Sequence, residues 1–130
     1  MAGNGQQFKA GANINPSVFV KLSADNKVVT AGSTDEAIGV MHESLWDAPI
    51  PGNTNTYAVP DGQSKRVYQA TESCEVIAGA TLAAGNLVAP DSNGHGIVAA
   101  VGSGVPYAGV CTQGADAGGR AKILVTIGIA

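Results

Sequence analysis

The stretch from Leu82 to Val110 constrains the fold more than any other part of the chain. It reads LAAGNLVAPDSNGHGIVAAVGSGVPYAGV, so short apolar runs alternate with turn residues. The runs Asn86–Ala89 and Gly96–Val101 flank a turn that contains Asn93–Gly94, and both residue types in that pair tolerate a positive φ. A third apolar run covers Tyr107–Cys111. The pattern predicts a small β-meander of three strands.

A stretch near the N-terminus repeats this order. Strands are predicted at Val18–Leu22, Lys27–Thr30 and Ala37–Met41, separated by turn residues and a polar loop. We align Val20 with Val88, Asp25–Asn26 with Ser92–Asn93, Val28–Val29 with Ile97–Val98, and Gly39–Val40 with Gly109–Val110. Each copy is too small to bury its apolar face alone, so we expect the two copies to face each other and close one core.

Composition supports a β architecture. The chain of 130 residues has 18 glycines, and its charged share of 13% is low for a helical bundle, which would need more Leu, Glu and Lys. Further strands are predicted at Arg66–Ala70, Glu75–Ile77 and Ala121–Ala130. The last of them alternates so that four apolar residues share one face: Ile123, Val125, Ile127 and Ile129.

These segments predict an all-β fold, a compact glycine-rich β-barrel or β-sandwich of short strands. It would consist of two duplicated β-meander halves of β-clip type and a flexible N-terminal arm. The arm is residues 1–13, whose only large aromatic residue is Phe8. The remainder, residues 14–130, is one β domain. It comprises a first meander at 14–41, a proline-rich excursion with Trp46 at 42–62, and a second half at 63–130.

Few residues in the sequence could carry catalysis or bind a metal. His42 lies beside Glu43, but no second His or Cys follows at ligand spacing, and His95 lies between two glycines in a turn. Cys74 and Cys111 match no metal motif and are interpreted as reduced, buried thiols. A disulfide between them is possible but not required for folding. The glycine-rich loops precede no helix and are interpreted as turns. We therefore predict a protein that is not an enzyme, with no catalytic residue, cofactor or metal.

Charge and hydropathy exclude two classes of partner. The formal net charge is −3 and the seven basic residues are scattered, which argues against nucleic-acid binding. The longest uncharged stretch, Ser92–Ala115, is interrupted by polar residues, proline and glycine, so no membrane span is expected. The N-terminus lacks an apolar signal-peptide core, so we expect the chain to start in the cytoplasm of the cell that makes it.

The large apolar residues of the proline-rich excursion are better explained by a surface contact than by catalysis. Trp46, Ile50 and Tyr57 lie on a segment stiffened by three prolines, and ordering such a segment costs little entropy. The alternative is that Trp46 folds back onto the small core, since aromatic residues are only 5% of the chain.

The second half resembles the small head decoration, or capsid cement, proteins of tailed bacteriophages. The similarity lies in the order of five elements: Gly85-Asn86-Leu87-Val88, Asn93-Gly94, Ile97-Val98, Gly109-Val110 and the final strand Lys122 to Ile127. It covers about residues 76–130 and, more loosely, residues 14–41. Asn86 stands where Asp or another polar residue is common in that family. The Trp46 excursion lies outside the resemblance.

The resemblance implies a structural virion protein on the outer surface of the phage head. Such proteins bind the assembled shell, often as trimers, and stabilise contacts between neighbouring major capsid subunits. The expected partners are therefore the major capsid protein and further copies of the chain. We predict that five side chains form the capsid or subunit contacts: Phe8, Phe19, Trp46, Ile50 and Tyr57. The arm could order on the capsid by adding a strand to an exposed sheet edge.

Two other functions remain open from the sequence. A small β module could bind a glycan or a host-surface molecule if Trp46, Tyr57 and Tyr107 formed a stacking platform. An accessory β-clip domain of an enzyme would instead need a catalytic partner chain, because this sequence supplies no catalytic group.

Overall fold

The computed structural model describes residues 6–46 and 56–130, and this part of the chain is all-β, without a helix. The strands are β1 (Gln6–Lys9), β2 (Phe19–Leu22), β3 (Val28–Thr30), β4 (Gly39–Met41), β5 (Ser64–Tyr68), β6 (Ser73–Ile77), β7 (Leu87–Pro90), β8 (Gly96–Val98), β9 (Pro106–Gln113) and β10 (Arg120–Ile129). The all-β class predicted from the sequence is confirmed.

The strands form two antiparallel five-stranded sheets with the same internal order. The first sheet runs β1-β5-β4-β2-β3 and the second runs β6-β10-β9-β7-β8. When β6 is made equivalent to β1, and each later strand to the next, the two orders are identical. The chain thus has two equivalent halves that divide between β5 and β6. β5 belongs to the first half, although the sequence boundary at residue 63 assigned it to the second.

The pairing register is repeated as well. Equivalent pairs in the two halves are Val20–Thr30 and Val88–Val98, Ala10–Val28 and Ala78–Gly96, and Ile14–Val59 and Leu82–Ala115. The halves differ in the connection before the last strand of each sheet. That connection covers residues 42–63 between β4 and β5 but only 114–119 between β9 and β10. The excursion is therefore an insertion in one half of a duplicated fold.

Backbone conformation follows the same duplication. Left-handed residues occupy four pairs of equivalent positions, namely Ser17 and Gly85, Asn26 and Gly94, Thr34 and Gly102, and Gly62 and Gly118. The sequence alignment pairs Asn26 with Asn93 and is wrong by one residue. The turn needs a residue that can adopt a positive φ at one position, and in the second half that residue is Gly94, with a φ of 78°.

The first core lies inside the first half. It is formed by residues that point to one face of the first sheet and by the segments that cross that face, and its buried members are Ala10, Ile14, Val18, Val20, Val28, Met41, Ala58, Val59 and Val67. Phe8, Ile38 and Trp46 pack against it and remain partly exposed. Burying these apolar side chains is the main source of stability available to such a small unit.

The second core joins the two halves. The second sheet supplies Val88, Ile123 and Val125 from one face, and the first sheet supplies Phe19 and Val40 from the face opposite its own core. The halves are therefore stacked front to back, with two cores, and the expected face-to-face arrangement with one core is wrong. Adjacent residues Phe19 and Val20 enter different cores because successive side chains in a strand point to opposite faces.

A β-bulge changes the face that β10 presents. Val125 pairs with Gly109, but the next pair is Gly128 with Tyr107, so β10 holds one extra residue. Ile127 and Ile129 lie beyond this shift and are 49% and 61% exposed, whereas Ile123 and Val125 are fully buried. The prediction that these four residues share one face is wrong for the two that follow the bulge.

The predicted N-terminal arm, residues 1–13, is described only from residue 6. Residues 6–9 form β1, which pairs along β5, and Ala10 is fully buried in the first core. The Gly11 amide then donates a hydrogen bond of 2.8 Å to the Val28 carbonyl. Residues 6–13 thus occupy the place that β6 and its following loop occupy in the second half, while residues 1–5 lie outside the described residues.

Candidate functional site

Three of the predicted contact residues, Phe8, Trp46 and Tyr57, lie in the first half with partly exposed side chains. We use the name aromatic surface for Phe8, Trp46, Tyr57 and Lys65. Phe8 lies opposite Lys65 across the β1–β5 pair, and the Lys65 Nζ lies 5.9 Å from the centroid of the Trp46 ring. The Trp46 amide donates to the Tyr57 carbonyl over 3.0 Å. All four side chains are partly exposed, so they present apolar and cationic groups to solvent from a packed base.

The aromatic surface is fixed by hydrogen bonds between the excursion and the loop after β1. The Ile14 amide donates to the Val59 carbonyl over 3.0 Å, and the Ala58 amide donates to the Ile14 carbonyl over 2.8 Å. The Asp61 amide donates to Asn13 Oδ1 over 2.9 Å. Because the described ends of the excursion are held in this way, Trp46 and Tyr57 have defined positions on the first half.

The five predicted contact residues have different outcomes. Phe8, Trp46 and Tyr57 are brought to the same half, and Phe8 and Trp46 pack against the same core. Phe19 is 0% exposed inside the second core, so its assignment as a surface contact is wrong. Ile50 lies outside the described residues. The sequence reasoning missed Lys65, which could have been found only from the register that places it opposite Phe8.

A polar cluster lies where β4 and β5 approach β6. We call His42, Glu43, Tyr68, Arg66 and Glu72 the His42 cluster. The His42 and Tyr68 rings are stacked with centroids 5.5 Å apart, and the Tyr68 hydroxyl donates to Glu43 Oε1 over 2.7 Å. The Arg66 guanidinium lies 4.9 Å from the centre of the Tyr68 ring and 3.1 Å from Glu72 Oε2. The cluster therefore links the first sheet to the segment that leads into the second.

The cluster alters the acidity of two of its members. Burial, followed by the hydrogen bond to Glu43, raises the pKa of Tyr68 to about 12. Burial alone would raise the pKa of Glu43, but the bond from Tyr68 and the charges of His42 and Arg66 outweigh it and hold that pKa below its usual value. At neutral pH Tyr68 is therefore a neutral donor and Glu43 a charged acceptor, which is a stable structural pair.

Neither the histidine nor the nearby thiol has the setting of a catalytic group. His42 Nδ1 contacts the Ser44 hydroxyl at 2.9 Å and its Nε2 lies 3.4 Å from Glu43 Oε2. Burial, and then the negative charges of three glutamates, raises the pKa of Cys74 to about 12, so its thiol stays protonated. Cys74 and Cys111 are both free thiols. The arrangement serves packing and hydrogen bonding.

Residues 6–46 and 56–130 hold no group of three His, Cys, Asp or Glu side chains that could bind a metal ion. Over the same residues there is also no helix of the length and hydropathy needed to cross a membrane. The geometry that remains as a candidate site is therefore the aromatic surface, which is suited to contact with another macromolecule.

The fold is similar to that of a phage head protein. The structure matches the crystal structure of the head fiber gp8.5 N base in bacteriophage phi29 with a TM-score of 0.60 and 15% sequence identity. The match covers 93% of this chain and 92% of that chain, so it includes both halves. At this identity the likeness establishes a shared fold. Neither a protein-family model nor a curated protein matches the sequence.

Proposed function

We propose that the chain is a structural, non-catalytic protein of a phage head that binds the outer surface of the assembled shell. There it stabilises contacts between neighbouring major capsid subunits, as a decoration or cement protein. The observation that carries the proposal is the fold shared with the phi29 head fiber base over 93% of this chain and 92% of that one. The order of strand and turn motifs in the second half supports the same assignment.

Binding in many copies is the physical basis of the proposed role. A protein that binds only the assembled shell stabilises that shell by mass action, and the effect grows with the number of sites occupied. The proposed partners are the major capsid protein and further copies of this chain. A trimer is the arrangement that the resemblance to decoration proteins implies.

The aromatic surface is the proposed capsid contact. Trp and Tyr are enriched among the residues that dominate binding energy at protein interfaces, and here they lie beside a lysine on a base that is already ordered. The hydrogen bonds that hold the excursion to the first half reduce the entropy lost when a partner binds. The glycan-binding alternative gains less support, because Tyr107 lies in the second half with its ring over Gly128.

Co-sedimentation with undecorated phage heads tests the proposal. We expect the purified protein to pellet with heads in a saturable manner, and protein that stays in the supernatant would contradict the proposed function. Trp46→Ala should reduce occupancy at least about tenfold, as a residue central to an interface does. Trp46→Leu keeps apolar packing on the first core and should also bind poorly, which separates contact from folding.

Val101→Ala is the matched control, because Val101 is an apolar residue that is 87% exposed on the loop between β8 and β9. It should bind heads like the natural protein. Normal binding by both Trp46 variants would reject the aromatic surface while leaving the capsid role intact. A deletion of residues 2–12 is a poor test of binding, because it removes β1 and the buried Ala10 from the first half.

A further inference from the structure

The end of β10 has no counterpart in the first half. In the first sheet Val40 pairs with Tyr68, where β5 ends, and the equivalent pair in the second sheet is Val110 with Leu124. β10 then continues as far as Ile129. The second half therefore carries a length of strand that the duplication does not explain.

This extension of β10 forms one wall of a pocket at the junction of the two halves. The pocket is lined from β10 by Ile127 and Ile129, from β9 by Tyr107, and from the loop between β3 and β4 by Glu36 and Ala37. Ala37 belongs to the second core, so the pocket lies at the rim of that core. Its volume is about 160 Å³, which is enough for one side chain of a partner.

The Tyr107 ring is a fixed wall of the pocket. Tyr107 pairs with Gly128, and a Cβ built on Gly128 would lie 2.6 Å from the Tyr107 Oη. The ring therefore lies against the backbone of β10, in a space that only glycine leaves open. Ile127 and Ile129 flank this glycine and are 49% and 61% exposed, so apolar surface stays in contact with water unless a partner covers it.

Among the described residues that line the pocket, Glu36 is the only one that carries a charge. The neighbouring Asp35 is already paired, because Lys21 Nζ lies 2.8 Å from Asp35 Oδ2 and the Gly32 amide donates to the same oxygen over 2.7 Å. None of the ion pairs in the described part of the chain involves Glu36. The pocket thus combines apolar walls with an exposed carboxylate that is available to a cation.

We propose that this pocket binds a lysine side chain of a partner protein. The aliphatic stem of the lysine packs against Ile127, Ile129 and the Tyr107 ring, and its ammonium group meets the Glu36 carboxylate at the mouth of the pocket. Lysine commonly buries its stem along apolar surface while its charged end stays in water, which matches apolar walls beside an exposed carboxylate. The formal net charge of −3 also favours the approach of a basic segment.

Lysine suits the pocket better than arginine or a neutral side chain does. The side chains that line the pocket offer two oxygen-bearing groups, the Glu36 carboxylate and the Tyr107 hydroxyl. The arginine guanidinium carries five donors in a rigid plane, and most of them would lose water there without gaining an acceptor. A neutral apolar side chain would remove water from the Glu36 carboxylate and give it no partner.

An NMR titration of the full chain with a capped tripeptide, lysine between two alanines, tests the site. We expect saturable shifts of the Ala37, Tyr107 and Gly128 amide signals, with a dissociation constant in the millimolar range that a single side chain allows. The matching norleucine tripeptide keeps the aliphatic stem and lacks the ammonium group, so it should bind about threefold more weakly. The arginine tripeptide should also bind more weakly than the lysine tripeptide.

Glu36→Gln keeps the shape of the side chain and removes its charge. It should raise the dissociation constant of the lysine tripeptide about threefold, the effect of losing one partner of an exposed ion pair, and leave that of the norleucine tripeptide unchanged. Asp25→Asn is the matched control, because Asp25 is an exposed carboxylate in the turn between β2 and β3 and lies outside the pocket. It removes the same charge from the chain and should bind the lysine tripeptide like the natural protein.

Three results would overturn the proposal. The first is an absence of saturable shifts at the three amides, and the second is equal or tighter binding of the norleucine or arginine tripeptide. The third is an equal loss of affinity in Glu36→Gln and Asp25→Asn, which would show a general effect of net charge. The titration uses no phage heads and the pocket is separate from the aromatic surface, so each of these results leaves the proposed capsid role standing.

Discussion

The two halves of the chain share strand order, register and turn conformation, but different neighbours close their cores. The first core is closed by segments of its own half, including the Trp46 excursion that the second half lacks. The second core is closed by the back of the first sheet, through Phe19 and Val40. A duplicated fold can thus use one and the same sheet face as a core wall in one half and as a free surface in the other.

The turns differ in the same way. Where the second half has Gly85, the first half has Ser17, with a φ of 57° that costs a non-glycine residue roughly 1 kcal/mol or more. Ser17 is fully buried between the halves, its carbonyl accepts from the Ile77 amide over 2.9 Å, and its hydroxyl accepts from Arg120 Nη1 over 2.8 Å. Contacts across the junction therefore offset the strain that glycine avoids in the second half.

The largest effect expected from this comparison is at the equivalent pair Phe19 and Leu87. Phe19→Ala removes a fully buried ring from the second core and should lower the free energy of unfolding by about 3–5 kcal/mol. Leu87→Ala changes a partly exposed side chain at the same place in the other sheet and should cost about 1 kcal/mol. Urea unfolding of dilute protein measures both. Equal losses of unfolding free energy would show that Phe19 and Leu87 are not in different environments.

A smaller effect separates turn conformation from the packing between halves. Gly94 and Gly118 both have a positive φ, so alanine at either position costs about 1–2 kcal/mol of backbone strain. At Gly118 an added Cβ would meet no atom within 4 Å, whereas at Gly94 it would lie 2.7 Å from the Thr30 methyl group and 3.1 Å from the Phe19 carbonyl oxygen.

Gly94→Ala should therefore lower the free energy of unfolding by about 2–4 kcal/mol, and Gly118→Ala by the strain cost alone. Chemical denaturation of the two variants beside the natural protein provides the measurement. If Gly94→Ala lowers the free energy of unfolding no more than Gly118→Ala does, the β7–β8 turn is not in close contact with Thr30 and Phe19 of the first half.

The duplication could be read from the sequence because turns carry strong local signals. Asn93 and Gly94 between apolar runs fix a hairpin, and the weaker Asp25–Asn26 turn repeats it, so the meanders and the all-β class follow from local chemistry. The one-residue error in aligning the turns arose because Asn26 resembles Asn93 in type, while the structure pairs positions by backbone conformation.

The stacking of the halves could not be read in the same way. Alternation shows that Phe19 and Val20 point to opposite faces of the first sheet. Both faces of this sheet are covered, however, and the local sequence does not distinguish side chains that face solvent from side chains that the other half covers. For the same reason the sequence predicts a surface contact at Phe19, which is buried. The bulge in β10 does not interrupt the alternation of apolar residues in the sequence Ile123–Ile129. A side-chain period of two therefore predicts a single apolar face, although the bulge changes the face within the strand.

The smallest effect concerns Tyr68, whose equivalent in the second half is Leu124. Tyr68→Leu gives the first sheet the side chain that the second sheet has at Leu124, and it removes the hydrogen bond to Glu43. It should lower the free energy of unfolding by about 0.5–1 kcal/mol at pH 8. This value is in the lower part of the range for such a hydrogen bond because both side chains are partly exposed. Tyr68→Phe keeps the ring stacked on His42 and should lose only the part of the unfolding free energy that the hydroxyl contributes.

The pH dependence gives this last prediction its sign. The pKa of Tyr68 is about 12 in the folded chain against an ordinary value of 10.0, so folding favours the neutral phenol. Its contribution is complete below pH 10 and is lost as the pH rises from 10 to 12. Urea unfolding at pH 8 and at pH 11 should therefore show a smaller difference between the natural protein and Tyr68→Phe at the higher pH. A difference that grows with pH would mean that the phenolate is stabilised in the folded chain, and the Tyr68–Glu43 hydrogen bond would then not be the source of the stability that the hydroxyl contributes.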